Sequence, residues 1–166
     1  MRKLVLAMFG ILMLVGSVGR AADEQLEFTF LVTTSGGRSS FNESWEINPR
    51  EVFGGVHSLN SHKYFERNIT LEEKEKLEQL FRSVFKLVEP SNVQKTYGCK
   101  NGVKVLDLPR VRVLMSYYMP GGDGAHSVVL SFSCGYGQSS NAPLQVQEMM
   151  ATLLKLIASV KDTSSK

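Results

Sequence analysis

Apolar and polar positions alternate strictly over residues 26–34. Leu26, Phe28, Phe30 and Val32 share one face, and Glu27, Thr29 and Thr33 share the other. A period of two carried by aromatic and β-branched residues predicts a half-buried strand. Ser35-Gly36-Gly37 punctuates it, glycine supplying the backbone freedom of a tight reversal. Phe41, Trp45 and Ile47 recur at even spacing and predict a second strand paired with the first. Asn48-Pro49 and Gly54-Gly55 interrupt the next stretch, and residues 64–69 read as a further short strand. Later, residues 103–108 and 110–118 read as strands, with Val111, Val113, Met115 and Tyr117 on one face of the second. After a glycine-rich turn, residues 125–134 return with Val128, Leu130, Phe132 and Cys134 aligned.

Two stretches switch to helical spacing. Thr70-Leu71-Glu72-Glu73 is a capping box, in which the Thr70 hydroxyl and the Glu73 carboxylate satisfy free N–H groups at a helix start. Leu77, Leu80, Phe81, Val84 and Val88 then form one stripe, and Pro90 ends it. Asn141-Ala142-Pro143 opens a second helix, proline being favoured at the first helical position. Val146, Met149, Met150, Leu153, Ile157 and Val160 form its stripe, and Leu154 and Leu156 widen it. The order is hairpin, helix, hairpin, helix. It predicts an α+β two-layer sandwich, an antiparallel sheet with two amphipathic helices on one face in ββα–ββα order. One domain over residues 22–161 is expected, with 162–166 as a disordered tail.

The start of the chain has a different character. Met1-Arg2-Lys3 is positive, residues 4–18 form an uncharged apolar run, and Gly19, Ala21 and Ala22 are small. These are the three parts of a secretory signal peptide, expected over residues 1–21 and bacterial in type. The run is shorter than the roughly 20 apolar residues a membrane span needs and is broken by Gly10 and Gly16. Cleavage after Ala21 is the preferred reading, with Ala22 next, giving a periplasmic or secreted protein with no membrane span. Cleavage also changes the charge. The full chain has 19 basic and 16 acidic residues, and Arg2, Lys3 and Arg20 leave with the signal, so the mature chain is neutral. Neutrality argues against a nucleic-acid partner, which calls for many phosphate-neutralising cations.

Cys99 and Cys134 are the chain's two cysteines. In an oxidising compartment an isolated pair is expected to form a disulfide. Closing a loop of that length stabilises by about 4 kcal/mol in the chain-entropy picture. No CxxC redox motif is present.

Candidate chemistry is sparse. His57 and His62 lie in a Gly/Ser/Asn-rich stretch and His126 at a hairpin edge, and their spacing matches no familiar zinc pattern. There is no HExxH, EF-hand loop, phosphate-binding P-loop or dinucleotide fingerprint, so no metal or cofactor is expected. Ser83-Val84-Phe85-Lys86 satisfies S-x-x-K, but the helical wheel puts Lys86 on the solvent side, where a lysine base is not desolvated. Residues 137–141 miss G-x-S-x-G at the final glycine. Asn42-Glu43-Ser44 and Asn68-Ile69-Thr70 match N-x-[ST], which has meaning only in a glycosylating host. Glu43 falls by parity with Trp45 and Ile47, so it is expected at a strand edge or paired with a cation from the second half. Residues 23–51 are acidic, and the region of Lys95, Lys100, Lys104, Arg110 and Arg112 is basic. Neighbouring strands of complementary charge explain this more simply than a basic binding face.

The most suggestive feature is the hairpin Tyr117-Tyr118-Met119-Pro120-Gly121-Gly122. Tyrosine and methionine beside a turn are enriched in the buried centres of protein interfaces, so Tyr117, Tyr118 and Met119 are the candidate binding residues. The alternative is that Tyr117 and Met119 cap the core at a sheet end. A small, neutral, exported chain without a catalytic constellation reads as a non-catalytic module that engages another protein, as an inhibitor, immunity-type protein or envelope adaptor does. Two other functions compete. One is a carrier of a small apolar ligand between the last helix and the sheet, lined by Met149, Met150 and Leu153. The other is a hydrolase using one of the histidines.

Overall fold

A computed structural model describes residues 27–36, 42–58, 60–88, 94–99, 110–118, 125–133 and 141–163. The expected signal peptide, the expected strand at 103–108, Phe41, Met119 and Cys134 lie outside the described residues. The fold is α+β. Its strands are β1 (Glu27–Ser35), β2 (Asn42–Ile47), β3 (Glu51–Ser58), β4 (Ser61–Asn68), β5 (Gln94–Tyr97), β6 (Arg110–Tyr118) and β7 (Ala125–Phe132). Its helices are α1 (Leu71–Val88) and α2 (Leu144–Thr163).

The strands form one seven-stranded sheet in the order β4-β3-β2-β1-β6-β7-β5. β1 to β4 are an antiparallel meander, and β1 also pairs along its whole length with β6. β5 runs parallel to β7, so the sheet is mixed and not the wholly antiparallel one expected. The ββα–ββα order is corrected to four strands, a helix, three strands and a helix. Two things hide the extra strands in the sequence. The Gly54-Gly55 pair, which has the look of a break, lies inside β3. β5 is four residues long, too short for alternation to register.

The glycines have a packing role. Gly54 stands opposite Trp45 on one side and Phe65 on the other. The two rings flank β3 and stack at 5.8 Å between centroids with 28° between planes. A β-carbon at Gly54 would lie 2.8 Å from Trp45 Cα and 2.8 Å from Trp45 Cε3, and closer still to the Ser44 carbonyl oxygen. The bare strand is what lets the indole lie across it.

Both helices cover the face that carries Phe28, Phe30, Val32, Trp45, Ile47, Val113 and Met115. Phe81 of α1 packs against Phe28 and Phe30, and Phe85 meets Tyr117 edge-on at 4.8 Å. Thr70 caps α1 as its sequence predicts. The Thr70 N–H donates to Glu73 Oε2 at 3.0 Å, and the Glu73 N–H donates to Thr70 Oγ1 at 3.3 Å. In α2, Val146, Met149, Leu153, Leu156, Ile157 and Val160 are buried. This helix continues two residues into the expected tail, and Thr163 Oγ1 donates to the Ser159 carbonyl.

Two polar clamps lock the layers. Glu43, only 6% exposed, accepts from Trp45 Nε1 at 3.0 Å and from Lys161 Nζ at 2.5 Å. Lys161 is thus the cation from the second half that the parity of Glu43 calls for, and its ammonium also sits 5.4 Å from the indole centroid. At the sheet edge, Arg67 grips Glu73 through two 2.9 Å hydrogen bonds and reaches Ser159 Oγ at 3.2 Å. One residue of β4 therefore touches both helices. Arg67 holds the Glu73 carboxyl below the ordinary glutamate range, with help from the Thr70 cap.

Candidate binding surface

Because both helices lie on one face, residues of the other parity form a second face. Along β1 these are Glu27, Thr29, Leu31 and Thr33, and along β6 they are Arg110, Arg112, Leu114, Ser116 and Tyr118. Registration places Leu31 beside Glu46, Phe53 and Glu66 on one side, and beside Leu114 and Val129 on the other. This face carries three exposed aromatic rings among the described residues: Phe53 at 36%, Tyr118 at 50% and Tyr64 at 76%. Large apolar surface left in water gains most when a partner covers it.

The face is not flat. Where β3 carries two glycines a trough of about 600 Å³ opens, lined by Leu31, Phe53, Gly55, Tyr64 and the carboxylates Glu46 and Glu66. Gly55 points to this side and leaves room for its neighbours. A β-carbon there would meet His57 Nε2 and Tyr64 Cδ1, each at 3.3 Å, and the Lys63 carbonyl oxygen at 2.9 Å. Acidic Glu46 and Glu66 mark the trough, whereas Arg110 and Arg112 stand across β1 on β6. β1 pairs with β6, but its one acidic residue, Glu27, stands opposite Tyr118, and Arg112 and Arg110 face Thr33 and Ser35, so this strand pair does not match acid to base.

Of the candidate residues, Tyr117 and Tyr118 point to opposite faces. Tyr117 is half-buried against Phe81 and Phe85 and stacks on His126 at 5.1 Å. It serves the core side, the alternative role for it. Tyr118, half exposed, stands on the face away from the helices, opposite Glu27 and Ala125. With strands about 4.8 Å apart and a rise of about 3.3 Å per residue, Tyr118 lies roughly 20 Å from the trough. That span fits one protein footprint. Phe53 escapes the sequence reading because the glycine pair beside it looks like a break, and Tyr64, at the head of the strand read over residues 64–69, has no face assigned without its pairing to β3. A strand continued through the glycines puts both on the polar face.

The other candidates resolve differently. His57 and His62 face each other across β3 and β4 with their Nδ1 atoms 2.9 Å apart. Among the described residues no group of three or more His, Cys, Asp or Glu side chains could hold a metal ion. Ser83 Oγ donates to the Leu80 carbonyl at 2.9 Å, and Lys86 is exposed, so the S-x-x-K residues make ordinary helix contacts. Met149 and Leu153 have no exposed surface and belong to the core, with Met150 packed beside them. Cys99 does not stand as a free thiol. No family model matches the chain. No curated protein matches it in sequence either. Among the described residues no helix is long and apolar enough to cross a membrane.

Proposed function

We propose that this is an exported, non-catalytic binding module whose sheet face away from the helices engages another protein. The observation that carries the reading is the exposure of Phe53, Tyr64 and Tyr118 on one face, while the described core residues lie on the other. Tyrosines on a rigid sheet make effective interface anchors, since little side-chain entropy is lost when they are covered. Mixed charge around the trough gives orientation: carboxylates at Glu46 and Glu66, guanidinium groups at Arg110 and Arg112. The carrier reading has less support, because Met149 and Leu153 are already occupied in packing and a ligand would have to displace the helix. Export by the N-terminal signal, to a periplasmic or extracellular address, agrees with a bonded Cys99, and Cys134 is its proposed partner.

The test is affinity capture from the envelope fraction with the mature protein as bait, followed by affinity measurement with Tyr118→Ala. A hot-spot tyrosine costs about 2 kcal/mol on truncation, roughly a 30-fold loss. Its removal from an exposed position changes stability by no more than about 0.5 kcal/mol. Loss of binding with stability retained supports the reading. Unchanged binding by both Tyr118→Ala and Tyr64→Ala removes the face from consideration.

A further inference from the structure

The histidine pair stands apart from the aromatic surface in its chemistry. His57 and His62 are the last cross-strand pair but one before the β3–β4 turn, directly opposite in register, with ring centroids 5.1 Å apart. Three features fix them there. The hairpin holds the two backbones in register. Gly55 leaves the space into which the His57 ring leans. Tyr64 packs edge-on against that ring at 5.7 Å. The outcome is two imidazole nitrogens 2.9 Å apart on a solvent-facing hairpin.

We propose that His57 and His62 form a two-imidazole chelate for a divalent copper ion. Metal–imidazole bonds are about 2.0–2.1 Å, so two nitrogens at a right angle around one ion lie about 2.9 Å apart, and at the tetrahedral angle about 3.4 Å. In the metal-free protein a hydrogen bond holds the two nitrogens at 2.9 Å, close enough for one ion to take both with only small ring movements. Copper stands highest among the first-row divalent ions for nitrogen ligands. Both nitrogens bind through their lone pairs, so the ring that now carries its hydrogen on Nδ1 shifts it through solvent to its own Nε2, and both ligands stay neutral imidazoles. With no third His, Cys, Asp or Glu in reach among the described residues, the remaining positions belong to water or to a donor brought by a second molecule. Occupation ties β3 to β4 beside the hairpin turn and stiffens the rim of the trough.

The experiment is titration of the purified protein with Cu²⁺ alone, followed by electron paramagnetic resonance and by NMR line broadening. One tight Cu²⁺ per chain is expected, with coupling to two nitrogens and broadening centred on residues 57 and 62. His57→Ala and His62→Ala each weaken it at least tenfold, His126→Ala leaves it unchanged, and Zn²⁺ binds more weakly than Cu²⁺. Wild-type copper affinity in the His57→Ala/His62→Ala double variant overturns the proposal, as does broadening centred elsewhere. Broadening is read on the wild-type protein and decides the matter even if a variant folds poorly. Partner binding through Tyr118 is independent of this outcome.

Discussion

Gly54→Ala isolates the packing rule on which the β3 region depends. The added methyl would lie 2.8 Å from both Trp45 Cα and Trp45 Cε3, with the Ser44 carbonyl oxygen closer still. Two of those three atoms are backbone of the adjacent strand, so no side-chain rotation relieves the clash. Overpacking a core costs about 1–3 kcal/mol, and a contact set by backbone belongs at the upper end. For a domain of this size, about 3 kcal/mol lowers Tm by roughly 10 °C. Trp45 is the chain's single tryptophan, so its fluorescence and near-ultraviolet circular dichroism report the same site without ambiguity. The indole should lose its stacked position on Phe65 and shift its emission to the red. Gly55→Ala provides the comparison. Its closest contact is the Lys63 carbonyl oxygen at 2.9 Å, and the two others are movable ring atoms at 3.3 Å. It should cost less and leave the tryptophan signal in place. A Gly54→Ala protein with Tm within about 2 °C of wild type and unchanged emission would refute the reasoning.

Lys161→Met leaves the Glu43 carboxylate with Trp45 as its partner among the described residues. Removing one partner of a fully buried pair costs about 3–5 kcal/mol, and with the Lys161 side chain 34% exposed we expect about 2 kcal/mol by denaturant unfolding, partly recovered by adding Glu43→Gln. Glu73 titrates below its ordinary value of 4.5 when folded, because Arg67 favours its charged form. Its contribution is therefore complete above that value and lost as pH falls through the folded one, so the stability gap between wild type and Glu73→Gln should narrow on acidification; a gap independent of pH would contradict this. Alkylation of the mature protein under denaturing, non-reducing conditions should add no mass, whereas two added groups would mean free thiols at Cys99 and Cys134.

Signals written in local spacing were legible in the sequence. The capping box at Thr70 and Glu73, both helical stripes and the strict alternation of β1 and β6 each come from one element's own periodicity. The partner of Glu43 was half legible: parity put a carboxylate with the buried residues and left a strand edge or a cation from the second half as its setting, and only tertiary packing could choose Lys161. The hidden features depend on neighbours. Gly54 reads as a breaker in isolation and becomes a strand residue because an indole from β2 needs the space. β5 takes its identity from pairing with β7, and its four residues show no pattern alone. The glycine pair in β3 conceals Phe53 for the same reason, and Tyr64, though within a strand that was read, joins the trough only through pairing with β3.

Oxidative footprinting of the captured complex tests the central claim most directly, since it reads which side chains the partner covers. Tyr64 and Tyr118 are exposed in the free protein and should be labelled readily there. In the complex both should be protected, while the exposed residues of α1, such as Leu87, keep their reactivity. Equal labelling of Tyr64 and Tyr118 in the free and bound protein, with protection on the helical side, would contradict the assignment of the sheet face away from the helices as the binding surface.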